Sequence, residues 1–146
     1  MLIKRAGPDD LDAVAPLFDG YRQFYGQRSD LLAARAFLEE RLGRDESVIF
    51  LAVDGARALG FTQLYPSFSS VSLERLWILN DLFVSADARR GGVARRLLER
   101  AREWAVETEA KGLTLTTALT NSAARGLYES CGWRRDEEFA HYQLLV

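Results

Sequence analysis

Along this chain the spacing of apolar positions switches repeatedly between the period of strands and that of helices. Leu2-Ile3-Lys4-Arg5-Ala6 reads as a short strand, stopped by Gly7-Pro8. Leu11, Val14, Ala15, Leu17, Phe18 and Tyr21 then fall at helical spacing behind a cap at Asp9 or Asp10. Pro16 lies inside that pattern and must bend the helix or restart it. Ser29 or Asp30 opens a second helix, which runs through Leu42. From Ser47 the period becomes that of strands. Val48–Val53 is a strand, Asp54-Gly55 a hairpin turn, and Ala58–Tyr65 an antiparallel return. Pro66–Ser70 reads as a polar excursion, after which Ser72 to Val84 brings the chain back, with Ile78–Val84 as a buried strand. Val93, Leu97, Leu98, Ala101, Trp104 and Ala105 give the next helix its apolar face, and Lys111-Gly112 stops it. Leu113–Leu119 alternates as a strand, Asn121 or Ser122 caps a short helix at Ala123–Ser130, and Cys131-Gly132-Trp133 turns into a last strand ending at His141–Val146. The order is β-α-α-β-β-β-α-β-α-β. The helical crossover in its middle makes Ile78–Val84 and Leu113–Leu119 parallel neighbours.

Composition narrows the class. A chain of 146 residues is expected to form one domain, 1–146, with a core that needs neither disulfides nor metal. Hydrophobic residues at 48% and charged residues at 27% are those of an ordinary globule. A net charge of −2 argues against nucleic acid as the main partner and mildly favours a cationic substrate. The one cysteine, Cys131, rules out an intramolecular disulfide and fits the reducing cytoplasm. Neither a signal peptide nor a membrane span is expected, because no apolar run approaches the roughly 20 residues that a span requires.

The candidate chemistry begins at Arg89-Arg90-Gly91-Gly92-Val93-Ala94-Arg95, which joins the strand to the long helix. A strand passing through glycines into a helix start leaves several N–H groups aimed at one spot, at the positive end of the helix dipole. Arg89, Arg90 and Arg95 add charge to this place for phosphate oxygens. It lacks the residues of a P-loop and of a dinucleotide fingerprint. Its pattern, Arg89-x-x-Gly92-x-Ala94, resembles the pyrophosphate-binding signature of the GNAT family of N-acetyltransferases, which move acetyl from acetyl-CoA to an amine. Asn121-x-x-Ala124-x-x-Leu127-Tyr128-x-x-x-Gly132-Trp133 resembles a second signature of that family, with Trp133 in place of the usual phenylalanine.

The resemblance implies an α+β fold layered α/β/α. Its mixed, mostly antiparallel sheet would have a central parallel pair of strands that splay around the pantetheine arm of CoA. It makes acetyl-CoA the cofactor, held by the turn Arg89–Arg95, by the main chain of Leu82, Phe83 and Val84, and by Asn121, Ala124 and Tyr128. Tyr128 would protonate the leaving thiolate, since phenol and thiol are of nearly similar acidity. Many relatives carry Glu-Asp-Leu where this chain has Asn80-Asp81-Leu82, so the first carboxylate is an amide, which cannot accept a proton at neutral pH. Strand alternation puts Asn80 and Asp81 on opposite faces unless the strand is bulged. Asp81 either contacts substrate or pairs with a nearby arginine. Glu74, Glu129, His141 or a water relay are the other routes for the proton. Tyr21, Tyr25, Tyr65, Phe68, Trp77 and Asn80 are candidates to line the acceptor pocket, where aromatic faces suit alkyl chains and ammonium groups. His141 is more readily a surface or structural residue, and Cys131 a packed thiol. No residues have the spacing of a metal site.

The expected activity is therefore acetyl transfer to a primary amine, that of a small molecule first and of a peptide or protein second. A non-catalytic CoA-binding sensor is the reading from another class. A homodimer is common in the family, and apolar positions near the last strand would serve one.

Overall fold

The strand Val48–Asp54 (β2) is apolar at successive positions because both of its faces are covered. Ile49 and Leu51 pack with Leu11, Val14, Phe18, Leu38 and Phe61 on one side. On the other side the Phe50 ring meets Trp104, with centroids 5.9 Å apart. In the computed structural model, which describes residues 1–146, this strand sits inside a five-stranded sheet of order β1-β2-β3-β4-β5. The others are β1 (Leu2–Arg5), β3 (Arg57–Ser69), β4 (Glu74–Val84) and β5 (Gly112–Thr114). All pairings are antiparallel except the last, which is parallel. The helices α1 (Leu11–Phe24) and α2 (Leu31–Gly43) cover one face and α3 (Val93–Glu107) the other, giving the expected α/β/α layering. These elements form one compact unit, Met1–Thr116. A second unit, Thr117–Val146, contains α4 (Ser122–Ser130).

Local chemistry explains the element boundaries. Asp30 caps α2 by accepting from the Ala33 N–H at 3.0 Å, and Asn121 caps α4 by accepting from Ala124 at 3.2 Å. Asp10 is the N-cap residue of α1, and its carboxylate binds the Gly7 N–H and Lys4. The helix runs through Pro16 without restarting. α3 ends at Glu107, where Glu109 turns left-handed at φ 55°, so the helix stops before Lys111-Gly112. Asp19, buried on α1, accepts from Ser29 Oγ at 2.6 Å and from the Asp30 N–H at 2.8 Å, which clasps the α1–α2 loop to the helix before it. The serine hydroxyl, then the amide, holds its carboxyl below the usual carboxylate range.

Three strand expectations change. The polar excursion Pro66–Ser70 is mostly strand, because β3 continues to Ser69 with Pro66 opposite Trp77. Past Leu64 it has a partner on one side only, an edge on which proline is tolerated. The strand expected over Leu113–Leu119 shortens to Gly112–Thr114. Its parallel register ends at Ile78↔Thr114, just before a bulge at Asn80 that re-aims β4. The last strand is not formed. Gly132 turns at φ 91°, and the residues after it join no ladder, leaving Tyr142 and Leu144 90% and 88% exposed. A strand exists only through a partner, and the alternation of side chains cannot supply one.

Gly60 shows how closely β3 and β4 approach. A Cβ there would meet the Phe83 carbonyl oxygen at 2.7 Å and the Val84 Cα at 3.1 Å. Gly60→Ala is expected to lower stability by about 1–3 kcal/mol by forcing these strands apart. Urea denaturation checks this, and an unchanged midpoint would refute it.

Candidate active site

The main chain at the start of α3 has the shape of an anion cradle. Gly92 is its N-cap at φ 78°, Arg90 precedes it at φ 66°, and no side chain caps the first turn, so its N–H groups remain for a ligand. A Cβ on Gly92 would point into open space, so the glycine answers to its left-handed φ and to what approaches from outside. These features fit a diphosphate. Arg89 takes a bracing role in addition, donating from Nε to the Val84 carbonyl at 3.0 Å with its guanidinium over the Phe83 ring. Gly92→Val should raise KM for acetyl-CoA about 10–100-fold, through backbone strain of about 1–2 kcal/mol and a side chain in the path of the anion. Initial-rate kinetics with varied acetyl-CoA test it.

Beside this turn β4 has an open edge, since its pairing with β5 ends at Ile78. The Ser85 N–H donates to the Leu59 carbonyl at 2.9 Å. Alternation therefore turns the main-chain groups of Phe83 toward β3 and those of Leu82 and Val84 toward the open edge. Leu82 thus turns both main-chain groups to that edge and Val84 its N–H, the Val84 carbonyl accepting from Arg89. Phe83 instead presents its ring to α1, within 3.2 Å of where a Cβ on Gly20 would lie.

The other candidate centre is the β4 bulge. The register passes from Leu64↔Leu79 to Gln63↔Asp81, which leaves Asn80 as one extra residue. The bulge cancels the alternation between Asn80 and Asp81, and their side chains meet, with Asn80 Nδ2 donating to Asp81 Oδ1 at 2.7 Å. Gln63 Nε2 donates to Asp81 Oδ2 at 2.5 Å, and Thr62 Oγ1 to the Asp81 carbonyl at 2.8 Å. Pairing of Asp81 with an arginine does not occur, because two amides take its carboxylate oxygens. Burial at 1% exposure pushes the Asp81 carboxyl up to about 6, against the pull of the Asn80 and Gln63 donors.

Around this carboxylate stand three of the expected acceptor residues. The Tyr21 hydroxyl donates to the Asn80 carbonyl at 3.0 Å, and Tyr25 tilts against the Tyr21 ring at 5.1 Å. Tyr65 lies close enough for burial and the nearby Asp81 charge to raise its phenol. Trp77 stands elsewhere, buried against Trp104 on the α3 face, with its indole N–H on Thr108 at 2.8 Å. Phe68 is exposed near the hairpin tip under the Arg75 guanidinium. Glu74 and His141 are exposed. In the second unit Asn121 caps α4, Ala124 supplies the capped N–H, and the Tyr128 ring lies 6.1 Å from that of Trp133. Gln63 is a participant that sequence reasoning missed. Its signal was present, a glutamine within the apolar run Phe61–Leu64.

Comparison with known proteins extends these observations. The model of the Acetyltransferase (GNAT) family matches residues 13–133, across both units. An uncharacterized N-acetyltransferase, YhfO of Bacillus subtilis (strain 168), is 51% identical over 146 residues, covering 100% of this chain and 98% of that protein. The crystal structure of a probable acetyltransferase superposes with a TM-score of 0.95 at 50% identity, over 100% of this chain and 98% of the other. An aminoglycoside N-acetyltransferase solved in complex with CoA shares the fold, with a TM-score of 0.82 at 20% identity over 99% and 95% of the two chains. The family model over residues 13–133, with a relative 51% identical along the whole chain, identifies this chain as an N-acetyltransferase of the GNAT family.

Proposed function

We propose that this protein, as one domain of residues 1–146, transfers acetyl from acetyl-CoA directly to the primary amine of a small molecule. The observation that carries the reading is the buried Asp81 carboxylate at the bulge, beside Tyr21, Tyr25 and Tyr65. An ammonium substrate must lose a proton before its nitrogen attacks, and a carboxyl near 6 accepts one at neutral pH. Exposed Asn80 orients the amine or a water at the mouth, and Asp81 behind it takes the proton. The α3 turn, with Arg90 and Arg95, and the edge groups of Leu82 and Val84 hold the cofactor, and Asn121 and Ala124 are assigned to it by the family motif that they match. Acetyl-CoA supplies the acetyl group as a thioester, and Tyr128 returns a proton to the sulfur. The neighbour bound to CoA supports this cofactor.

A peptide amine is the second reading, favoured by the exposed apolar groups Phe68, Val71 and Leu73 around the β3–β4 hairpin tip. A non-catalytic CoA sensor has no use for a buried carboxyl tuned toward neutrality. The single cysteine supports a cytoplasmic protein, and no helix is long and apolar enough to cross a membrane. The exposed run Phe139, Tyr142, Leu144 and Leu145 supports a homodimer, which light scattering on the purified protein tests. The function itself is tested by thiol release from acetyl-CoA over a panel of diamines, amino-acid derivatives, aminoglycosides and peptides. Turnover with small amines supports the proposal. Turnover with peptides alone would replace it by the second reading, and CoA binding without any turnover would replace it by the sensor.

A further inference from the structure

Gln63 is fully buried in the middle of β3, yet only half of its amide is bonded. Its Nε2 donates to Asp81 Oδ2 at 2.5 Å, while its Oε1 is buried without a hydrogen-bond partner. A glutamine that only filled space would be a poor choice here, since an unpaired buried carbonyl is costly and an apolar side chain of the same volume would avoid it. What an apolar residue cannot provide is the donor to Asp81. That carboxylate has two side-chain donors, Asn80 and Gln63. Asn80 is exposed, whereas Gln63 is fully buried and reaches Asp81 from the interior.

We infer that Gln63 is a positioning residue for acetyl transfer, fixing the Asp81 carboxylate behind Asn80 and holding it ready to take the proton of the amine. This rests on the reading of Asp81 as proton acceptor. Other polar groups about the pair leave the task to Gln63. Tyr21 of α1 bonds the Asn80 carbonyl, Tyr65 of β3 is a neutral phenol that the Gln63 amide also approaches, and the charge of Arg41 on α2 acts on Tyr65. The causes acting on the Asp81 carboxyl are burial and the two amides.

The test uses the full-length protein and two readouts. Urea unfolding from about pH 4 to about pH 8 compares wild type with Asp81→Asn, and Gln63→Met with the double variant. Each difference isolates the titration of Asp81 without any need for substrate. The expected result is that Gln63→Met moves this titration upward by about one pH unit, because a donor to the charged form is gone. The acid limb of kcat/KM for the best amine of the panel should move with it. Should Gln63→Met fail to fold, Gln63→Leu, which likewise has no donor and adds no titrating group, takes its place with the same upward movement expected. An unmoved titration, with or without a slower rate, overturns the inference and leaves Gln63 a packing residue. A titration that moves while the acid limb stays shows that Gln63 holds Asp81 but that Asp81 is not the proton acceptor, so the underlying reading falls and the inference with it.

Discussion

Asp81→Asn is expected to make the folded protein more stable above pH 6 while removing most of its turnover. In the folded state the Asp81 carboxyl is raised from 3.8 to about 6, so between these values the native protein holds a proton that the unfolded chain has released. Stability from this group is full at lower pH, declines as pH rises through about 6, and is lost above it. A shift of roughly two units corresponds to about 3 kcal/mol at most. Asparagine carries no charge to desolvate, so the variant lacks this decline. The site also accommodates it. If the Gln63 amide turns over, its unpartnered Oε1 accepts the new N–H. Unfolding at pH 7.5 should show a gain of about 1–3 kcal/mol, while kcat/KM falls about 10²–10⁴-fold, the usual scale for loss of a general base. Lower stability, or full activity, would rule out the role assigned to Asp81.

Tyr128→Phe should lower kcat by about 10²–10³-fold with little change in KM for acetyl-CoA. The substitution removes a hydroxyl and keeps the ring that faces Trp133, so α4 and its Asn121 cap stay in place. Steady-state kinetics with the best amine from the panel decide this, beside a circular dichroism spectrum to confirm the fold. An unchanged kcat would give the thiolate's proton to another donor.

The sequence disclosed the parts whose cause is local. The period of α1 and α3, the Asp54-Gly55 hairpin and the Asp30 and Asn121 caps all follow from side chains within a few residues of one another, whereas in α2 the expected inner positions Leu31 and Leu32 lie exposed. The turn at Gly91-Gly92 was legible for the same reason, since a positive φ and an uncapped helix start are written into adjacent residues. Features set by partners distant in sequence were not. The bulge at Asn80 depends on the register against Gln63 and Leu64, and periodicity in β4 alone places Asn80 and Asp81 apart. Trp77 has the look of a pocket aromatic in sequence, and only its Trp104 and Thr108 contacts show that it serves the opposite face. The C-terminal run has strand chemistry, but no strand of this chain pairs with it.

The Asp19 clasp has a consequence for the loop it holds. Ser29 and Asp30, at the far end of the α1–α2 loop, are bonded to a buried carboxylate on the helix that opens it, while Phe24 and Tyr25 stand exposed between. Both ends of the segment are thus anchored whatever lies in the middle. Changing the length of such a loop costs little, about 0.6 kcal/mol for each doubling. Residues 25–28 are therefore expected to tolerate changes of length and sequence while the helices, the sheet and the carboxylate that holds the far end remain the same.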